Sequence, residues 1–227
     1  MIKAVFFDAI KTIFDPQPSE VELHRKVLEK VTGRSIDETE LEQIIKQAIT
    51  ETEKLDIVKT NGLQQWEYYP NKVAELIGCE KSECKNVGDQ LRFETWGNPD
   101  NYKLFDDVLP TLKTLKEHGI YVACVSNEDG WLSKFFDHFG ISEYFQFIIT
   151  SQEIGFEKPD SRVFHAALIK TEFAQNEVLF VGDSEVSDYQ GSLSAGMMPL
   201  LIDRDHKNHD DNIVKIDNLE RVLEYIK

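Results

Sequence analysis

The chain has 227 residues, of which 41% are hydrophobic and 29% are charged. This composition is typical of a globular protein and excludes collagen-like, low-complexity and largely disordered chains. Its 41 acidic residues against 25 basic ones give a formal net charge of −16, which argues against nucleic acid as a general partner. The length, roughly 1.5 times that of an average domain, suits one domain that carries an insertion.

The sequence also bears on the compartment. No apolar run approaches the roughly 18 residues that cross a bilayer, and the N-terminus lacks the basic, apolar and small-residue regions of a signal peptide. Three cysteines in the whole chain suit a reducing compartment. We therefore expect a cytoplasmic protein without a membrane partner, whose oligomeric state the sequence leaves open.

Short apolar runs of β-forming residues predict strands that are buried on both faces. The first run, Met1 to Phe7, ends at Asp8, and similar runs follow at residues 120–125, 145–150, 178–181 and 198–202. Helical stretches alternate with them at residues 108–118, 131–139, 161–170 and 189–195. This alternation predicts an α/β fold with a doubly wound parallel sheet.

The segment between the first strand and the rest breaks this alternation. It shows only helical patterns, at residues 20–32, 37–53, 64–77 and 80–93. Such a block is too long for a crossover helix and long enough for a small bundle. We therefore expect an inserted all-helical cap at residues 17–98, and a discontinuous core made of residues 1–16 and 99–227.

Polar side chains follow the predicted strands. In an open parallel sheet, ligands bind beyond the carboxyl ends of the strands, so these residues are candidates for a site. They are Asp8, Ser126, Asn127, Lys158, Asp183 and Asp188.

These residue types suit one chemistry. Asp8 and Asp183 are hard oxygen ligands for Mg²⁺, with Asp188 supporting the site. Beside a metal ion, Asp8 can attack phosphorus in line and form an aspartyl-phosphate. Lys158 would screen the charge, and the Ser126 hydroxyl would contact phosphate oxygens.

In their order, these motifs resemble those of the haloacid dehalogenase superfamily of hydrolases. The matching stretches are Asp8-Ala-Ile-Lys-Thr12, Val125-Ser126-Asn127, Lys158-Pro159, and Gly182-Asp183-Ser184 with Asp188. The resemblance covers essentially the whole chain, because the superfamily also carries a helical cap after its first motif. It implies a Rossmann-like core, an aspartate nucleophile and, usually, Mg²⁺-dependent hydrolysis of a small phosphorylated molecule.

Carried over residue by residue, the resemblance implies a role for each matching position. It assigns catalysis to Asp8 and Lys158, and phosphate contacts to Thr12, Ser126, Asn127 and Lys158. Metal binding falls to Asp8, Asp183 and Asp188, together with the backbone carbonyl of Ile10.

The first motif departs from the phosphatase pattern at Ile10. Phosphatases of the superfamily carry a second aspartate there, which protonates the leaving group. An isoleucine neither donates nor accepts a proton. The rate enhancement that a general acid provides, about 10²- to 10⁴-fold, is therefore lost or comes from another residue. Lys11 also replaces the usual glycine.

Three functions therefore remain open. The first is a Mg²⁺-dependent hydrolase of low or restricted phosphatase activity, acting on acyl phosphates or other good leaving groups. The second is a carbon–halogen or carbon–phosphorus bond hydrolase; the phosphonatase form needs a Schiff-base lysine in the cap, for which Lys46, Lys54 and Lys59 are candidates. The third is a binding or regulatory protein on an inactive hydrolase fold.

Two groups of residues near or in the cap are expected to be structural. Asp15 and His24 are interpreted as a linker residue and an exposed helix residue. Four aromatic residues are expected to pack in the interior of the cap, namely Trp66, Tyr68, Tyr69 and Trp96.

Overall fold

A computed structural model describes residues 1–54 and 63–226, apart from the side chains of residue 53 and residues 63–66. The chain divides into two compact units: a core unit, Met1–Asp15 with Leu104–Lys227, and a helical unit, Pro16–Lys103. No helix among the described residues is long and apolar enough to cross a membrane.

The described residues form eight strands. They are β1 (Ala4–Phe7), β2 (Phe14–Pro16), β3 (Tyr102–Leu104), β4 (Tyr121–Ser126), β5 (Phe147–Thr150), β6 (Val178–Gly182), β7 (Met198–Ile202) and β8 (Lys215–Ile216). Six of them form a parallel sheet in the order β5-β4-β1-β6-β7-β8, and β2 pairs with β3 in a separate two-stranded sheet.

Nine α-helices lie in the described part of the chain. The helical unit contains α1 (Glu20–Thr32), α2 (Glu38–Glu53), α3 (Leu63–Leu76) and α4 (Cys84–Trp96). The core unit contains α5 (Val108–Glu117), α6 (Leu132–His138), α7 (Ser151–Ile154), α8 (Ser161–Ile169) and α9 (Gly191–Ser194). The predicted doubly wound parallel α/β fold is confirmed.

The central strand of the large sheet shows why the sequence folds this way. All four residues of β1, Ala4–Phe7, are buried, as expected for a strand that is covered on both faces. Its neighbours on the two sides are β4 and β6, with Phe7 opposite Cys124 and Val181. This register brings the carboxyl ends of three strands together.

Some predicted element boundaries were wrong. The predicted helix at residues 80–93 begins only at Cys84, because Glu83 and Cys84 first close a turn onto the carbonyl of Glu80. The predicted helix at residues 189–195 is preceded by a π-helical segment, Glu185–Gln190, which the Ser184 hydroxyl caps. Strands β2, β3 and β8 were not predicted, because each has only two or three residues.

Helix α1 illustrates how the helical unit is built. Its first turn is capped by the Ser19 side chain, which accepts from the Glu22 amide, and it ends where Gly33 adopts a left-handed φ of 67°. Val27 and Leu28 lie on its buried face. Together with apolar residues of α2, α3 and α4 they form the core of this unit.

His24 is not the exposed residue that the sequence interpretation expected, because its side chain is fully buried. Its Nδ1 lies 2.8 Å from the Glu20 carbonyl oxygen, and its Nε2 lies 3.1 Å from the Tyr69 hydroxyl. A carbonyl only accepts, so Nδ1 carries the proton and Tyr69 donates to Nε2. The rings of Tyr69 and Trp96 also contact the imidazole, whereas the side chain of Trp66 lies outside the described residues.

Acidification is expected to destabilise the fold through His24. Burial lowers the pKa of His24 below its ordinary value of 6.5, although the Glu20 carboxylate opposes this. Below pH 6.5 the His24 side chain binds a proton in the unfolded chain but not in the folded chain. The contribution of His24 to the free energy of unfolding is therefore present above pH 6.5 and is lost as the pH falls. Urea unfolding between about pH 7.5 and pH 5 measures this loss, of up to about 1.4 kcal/mol per pH unit.

The variant His24→Gln tests this contribution, because it removes the ionisable ring and keeps a polar side chain of similar length. His118 is a matched control: its Nδ1 lies 2.8 Å from the carbonyl oxygen of Thr114, four residues earlier, but its side chain is exposed. We expect His118→Gln to keep the pH dependence of the wild type and His24→Gln to flatten it. Identical pH profiles for all three proteins contradict the assignment.

Candidate active site

Three predicted site residues meet at the carboxyl edge of the large sheet. Asp8 directly follows β1, Ser126 ends β4, and Asp183 directly follows β6. The backbone amide of Asp8 continues the ladder by donating to the carbonyl of Val181 at 2.8 Å. The sheet register therefore fixes the position of Asp8 between the other two strand ends.

Lys158 lies at the centre of this site. Its ammonium is 2.6 Å from Asp8 Oδ1 and 2.6 Å from Asp188 Oδ1. The lysine is 3% exposed, and both carboxylates are buried. Ser126 Oγ also donates to Asp8 Oδ1, at 2.9 Å. The structure thus brings together side chains from four separate motifs.

Asp188 reaches Lys158 because of the backbone around it. The π-helical segment Glu185–Gln190 carries it back toward the end of β6, where its Oδ2 accepts from the Ser184 amide at 2.9 Å. A Cβ atom on Gly182 would lie 2.3 Å from the carboxyl carbon of Asp188. Glycine at position 182 is therefore required for this close approach.

The cluster holds more negative charge than Lys158 neutralises. Carboxylate oxygens of Asp8, Asp183 and Asp188 lie within 4.8 Å of one another. Burial raises the pKa of Asp183 to about 7, and the charges of Asp8 and Asp188 add to the rise, while Lys11 and Lys158 oppose it.

The pKa values of Asp188 and Lys158, which form the buried ion pair, are both raised but for different reasons. Burial raises the pKa of Asp188, although its ion pair with Lys158 opposes the rise. Burial alone would lower the pKa of Lys158, but Asp188 and Asp8 raise it above its usual range. The lysine therefore stays charged, and one ammonium faces three carboxylates.

This donor set fits Mg²⁺. The ion prefers hard oxygen ligands and usually takes one or two carboxylates, with water and substrate phosphate in the remaining positions. Asp8 and Asp183 offer carboxylate oxygens, and the backbone carbonyl of Ile10 lies two residues after Asp8. Asp188 is tied to Lys158 and lies beside them.

Asn127 holds the backbone of Lys158 through a reciprocal pair of hydrogen bonds. Its Nδ2 donates to the Lys158 carbonyl at 2.9 Å, and its Oδ1 accepts from the Lys158 amide at 2.8 Å. The residue was predicted as a phosphate contact. In the structure its side chain fixes the lysine that carries the central charge.

The turn after Asp8 contains Ile10 and Thr12. The Thr12 hydroxyl is buried and has no hydrogen-bond partner among the described residues. A buried hydroxyl without a partner is costly, so a ligand oxygen that accepts from it would be stabilised. Ile10 pairs with Phe14 in an isolated bridge and brings no proton donor to the turn.

The three candidate Schiff-base lysines gain no support. Lys46 and Lys54 are exposed, an environment in which an ammonium keeps its hydration. Lys59 lies outside the described residues.

One residue close to the site was not predicted. Arg204, which follows β7, donates to the carbonyl oxygen of Thr12 at 2.9 Å, although the two residues are 192 positions apart. No sequence motif includes Arg204. Only the folded chain shows this contact.

Fold and site together define a class of protein: a Rossmann-like α/β protein whose sheet edge carries an aspartate paired with a buried lysine inside a carboxylate cluster. A sequence profile of the haloacid dehalogenase-like hydrolase family matches residues 5–202, and the chain belongs to this family. The predicted membership is confirmed.

Known relatives agree with this family. Haloacid dehalogenase-like hydrolase domain-containing protein 3 of Mus musculus is 33% identical over 140 residues, which cover 61% of this chain and 55% of the mouse protein. The chain thus spans about half the length of that relative. Glyceraldehyde 3-phosphate phosphatase of Methanopyrus kandleri is 28% identical over 220 residues, covering 93% of this chain and 91% of the relative.

A solved structure shows the same fold. The magnesium-bound HAD-hydrolase YfnB of Bacillus subtilis matches with a TM-score of 0.79 and 18% sequence identity. The alignment covers 100% of this chain and 99% of YfnB.

Proposed function

We propose that the protein is a Mg²⁺-dependent hydrolase of the phosphatase type, acting on a small phosphorylated metabolite through an aspartyl-phosphate on Asp8. The observation that carries the proposal is the pairing of Asp8 with buried Lys158 inside a cluster of three carboxylates. The relative from Methanopyrus kandleri, which is named as a phosphatase and aligns over nearly the whole chain, supports it.

Asp8 is the nucleophile in this proposal. Its two hydrogen-bond donors, Ser126 Oγ and Lys158 Nζ, both contact Oδ1. Among the described residues no hydrogen bond reaches Oδ2, which keeps its lone pairs for in-line attack on phosphorus. The attack forms the bond from Asp8 to phosphorus and breaks the bond to the leaving oxygen. Water then hydrolyses the acyl phosphate and restores the Asp8 carboxylate.

The metal would be held by Asp8, Asp183 and the Ile10 carbonyl, with Asp188 beside them. When bound, Mg²⁺ supplies positive charge to the phosphoryl oxygens and offsets the repulsion between substrate and carboxylates. The Asp8 carboxylate itself is oriented by Ser126 Oγ and Lys158 Nζ through Oδ1.

The remaining polar residues are proposed to hold the phosphoryl group. Lys158 neutralises its charge, and the Thr12 hydroxyl donates to one of its oxygens. The Ser126 hydroxyl, whose single proton points at Asp8 Oδ1 in the structure, turns to a phosphoryl oxygen when the substrate binds. Asn127 keeps Lys158 in place and retains a second amide N–H for the phosphate.

The helical unit is proposed as the substrate-selecting cap. Its chain, Pro16–Lys103, interrupts the core unit directly after the turn that follows Asp8. An insertion at that point suits a unit whose structure differs between enzymes with different substrates, while the residues of the core unit carry out the reaction.

Substrates whose leaving group needs no proton are expected to react fastest, because Ile10 cannot act as a general acid. Acetyl phosphate and p-nitrophenyl phosphate expel weakly basic oxygens, whereas alkyl phosphates such as glycerol phosphate expel strongly basic ones. We expect a difference in kcat/KM of at least about 100-fold between the two groups, since a general acid contributes about 10²- to 10⁴-fold. Steady-state assays with Mg²⁺ and with EDTA measure this difference and its metal dependence.

The variant Ile10→Asp tests the cause of this preference. It is expected to raise turnover of the alkyl phosphates and so to reduce the difference in kcat/KM between the two groups of substrates. The control Ile10→Asn introduces a side chain of the same size as aspartate but without an ionisable proton, and it is expected to leave that difference unchanged. Release of halide from 2-haloacids, or of phosphate from phosphonates alone, contradicts the proposal. Inactivity of the wild type on every compound favours a binding protein.

A further inference from the structure

Arg204 forms a mostly buried ion pair beside the turn that follows Asp8. Its side chain is 17% exposed and lies just after β7. Nη1 donates to Asp107 Oδ2 at 2.8 Å, and Nη2 donates to Asp107 Oδ1 at 3.1 Å. The guanidinium also stacks on Phe105, 3.7 Å from the ring centroid. Bidentate pairing and stacking hold a guanidinium in a single orientation.

Asp107 is itself fixed. Its side chain is 4% exposed, and its Oδ2 also accepts from the backbone amide of Leu219 at 2.8 Å. Asp107 directly precedes α5, and Leu219 opens the 3₁₀ helix Leu219–Glu224. The ion pair with Arg204 therefore ties together three segments that are far apart in the sequence.

The third hydrogen bond of Arg204 reaches the Asp8 turn. Nη2 donates to the carbonyl oxygen of Thr12 at 2.9 Å. Within the turn, the Ile13 amide donates to the Ala9 carbonyl at 2.8 Å, and Lys11 adopts a left-handed φ of 62°. A residue other than glycine persists in this conformation only where its surroundings hold it.

We propose that Arg204 is a positioning residue, which holds the Asp8 turn in the shape that phosphoryl transfer requires. It acts through the Thr12 carbonyl and does not touch the substrate. The turn begins at Asp8 and contains the Ile10 carbonyl, so a displaced turn moves the nucleophile and this oxygen together. Misplacement by about 1 Å can reduce a rate about 10²-fold. The inference rests on the proposed function, in which Asp8 attacks phosphorus.

Two variants of Arg204 test the inference. Arg204→Met keeps the apolar stem over Phe105 and removes all three hydrogen bonds. We expect its kcat to fall about 10- to 100-fold with KM changed by less than about threefold, because the phosphate contacts remain. Arg204→Lys keeps the charge but cannot donate to Asp107 and Thr12 in the same fork geometry, so an intermediate kcat is expected.

Amide hydrogen exchange gives a readout that is independent of activity. Backbone exchange in residues 8–14 is expected to speed up in Arg204→Met under conditions where the whole protein stays folded. The double variant Arg204→Met with Asp107→Asn is expected to show little further loss of kcat, because both changes break the same ion pair.

A matched control is Arg221→Met. Arg221 forms an exposed ion pair with Glu224 at 3.2 Å, and its loss is expected to leave kcat and exchange in residues 8–14 unchanged. A lower melting temperature of Arg204→Met with wild-type kcat and wild-type exchange overturns the inference. If the wild type hydrolyses neither acyl phosphates nor phosphate esters, the proposed function fails, and exchange in residues 8–14 alone decides whether Arg204 holds the turn.

Discussion

Replacing Asp8 with asparagine is expected to abolish turnover, with a loss of kcat on the order of 10³-fold or more, or at least about 4 kcal/mol in barrier height. The amide keeps the size of the carboxylate and an oxygen near Ser126, but it has no charged oxygen to attack phosphorus. Initial rates on acetyl phosphate with saturating Mg²⁺ measure the loss. Mass spectrometry after acid quenching is expected to show a phosphoryl group on the Asp8 peptide of the wild type alone.

The control for Asp8→Asn is the same change at an exposed carboxylate. Asp217 pairs with Arg221 at the surface, and Asp217→Asn is expected to retain full activity. Thermal unfolding of both variants separates loss of chemistry from loss of fold. A folded Asp8→Asn protein that still turns over contradicts the assignment of Asp8 as nucleophile.

Replacing Lys158 with methionine is expected to destabilise the protein by about 3–5 kcal/mol, because removal of one partner leaves buried charges uncompensated. The lysine is 3% exposed and its ammonium lies 2.6 Å from both Asp8 and Asp188. Urea unfolding in EDTA measures the change in free energy of unfolding. Millimolar Mg²⁺ is expected to restore part of the stability, since a bound cation replaces the lost positive charge.

Lys116→Met is the matched control for this change. Lys116 also forms an ion pair at 2.6 Å, with Glu143, but both side chains are more than half exposed. Its loss is expected to leave the free energy of unfolding unchanged within error. If Lys158→Met is as stable as Lys116→Met, the folded protein does not need the lysine to offset the charge of the carboxylate cluster.

Much of the site could be predicted because strand ends are visible in the sequence. Asp8 and Asp183 directly follow runs of buried β-forming residues, and Ser126 ends another. Parallel strands place their carboxyl ends at one edge, so convergence of these residues follows from the order of the elements. The same reasoning predicted the five long strands and failed for β2, β3 and β8, whose pairing depends on neighbours rather than on local pattern.

Contacts between distant side chains could not be predicted. That Lys158 bridges two carboxylates, and that Arg204 reaches Thr12, depends on loop conformations that no periodicity encodes. The burial of His24 was within reach of sequence reasoning, because it lies four residues before buried Leu28 on the same helix face. The sequence does not show that Tyr69 satisfies its ring nitrogen.

The central place of β1 in the sheet has a consequence for biosynthesis. β1 ends at Phe7, but its neighbours begin only at Tyr121 and Val178, after the whole helical unit. At about 5–20 residues per second, a ribosome needs roughly ten seconds to supply the first of these partners. During that time four apolar residues, Ala4–Phe7, have no strand to pair with. The first strand of the sheet is thus the one that waits longest for a neighbour, and an unpaired apolar segment of this kind is prone to aggregation.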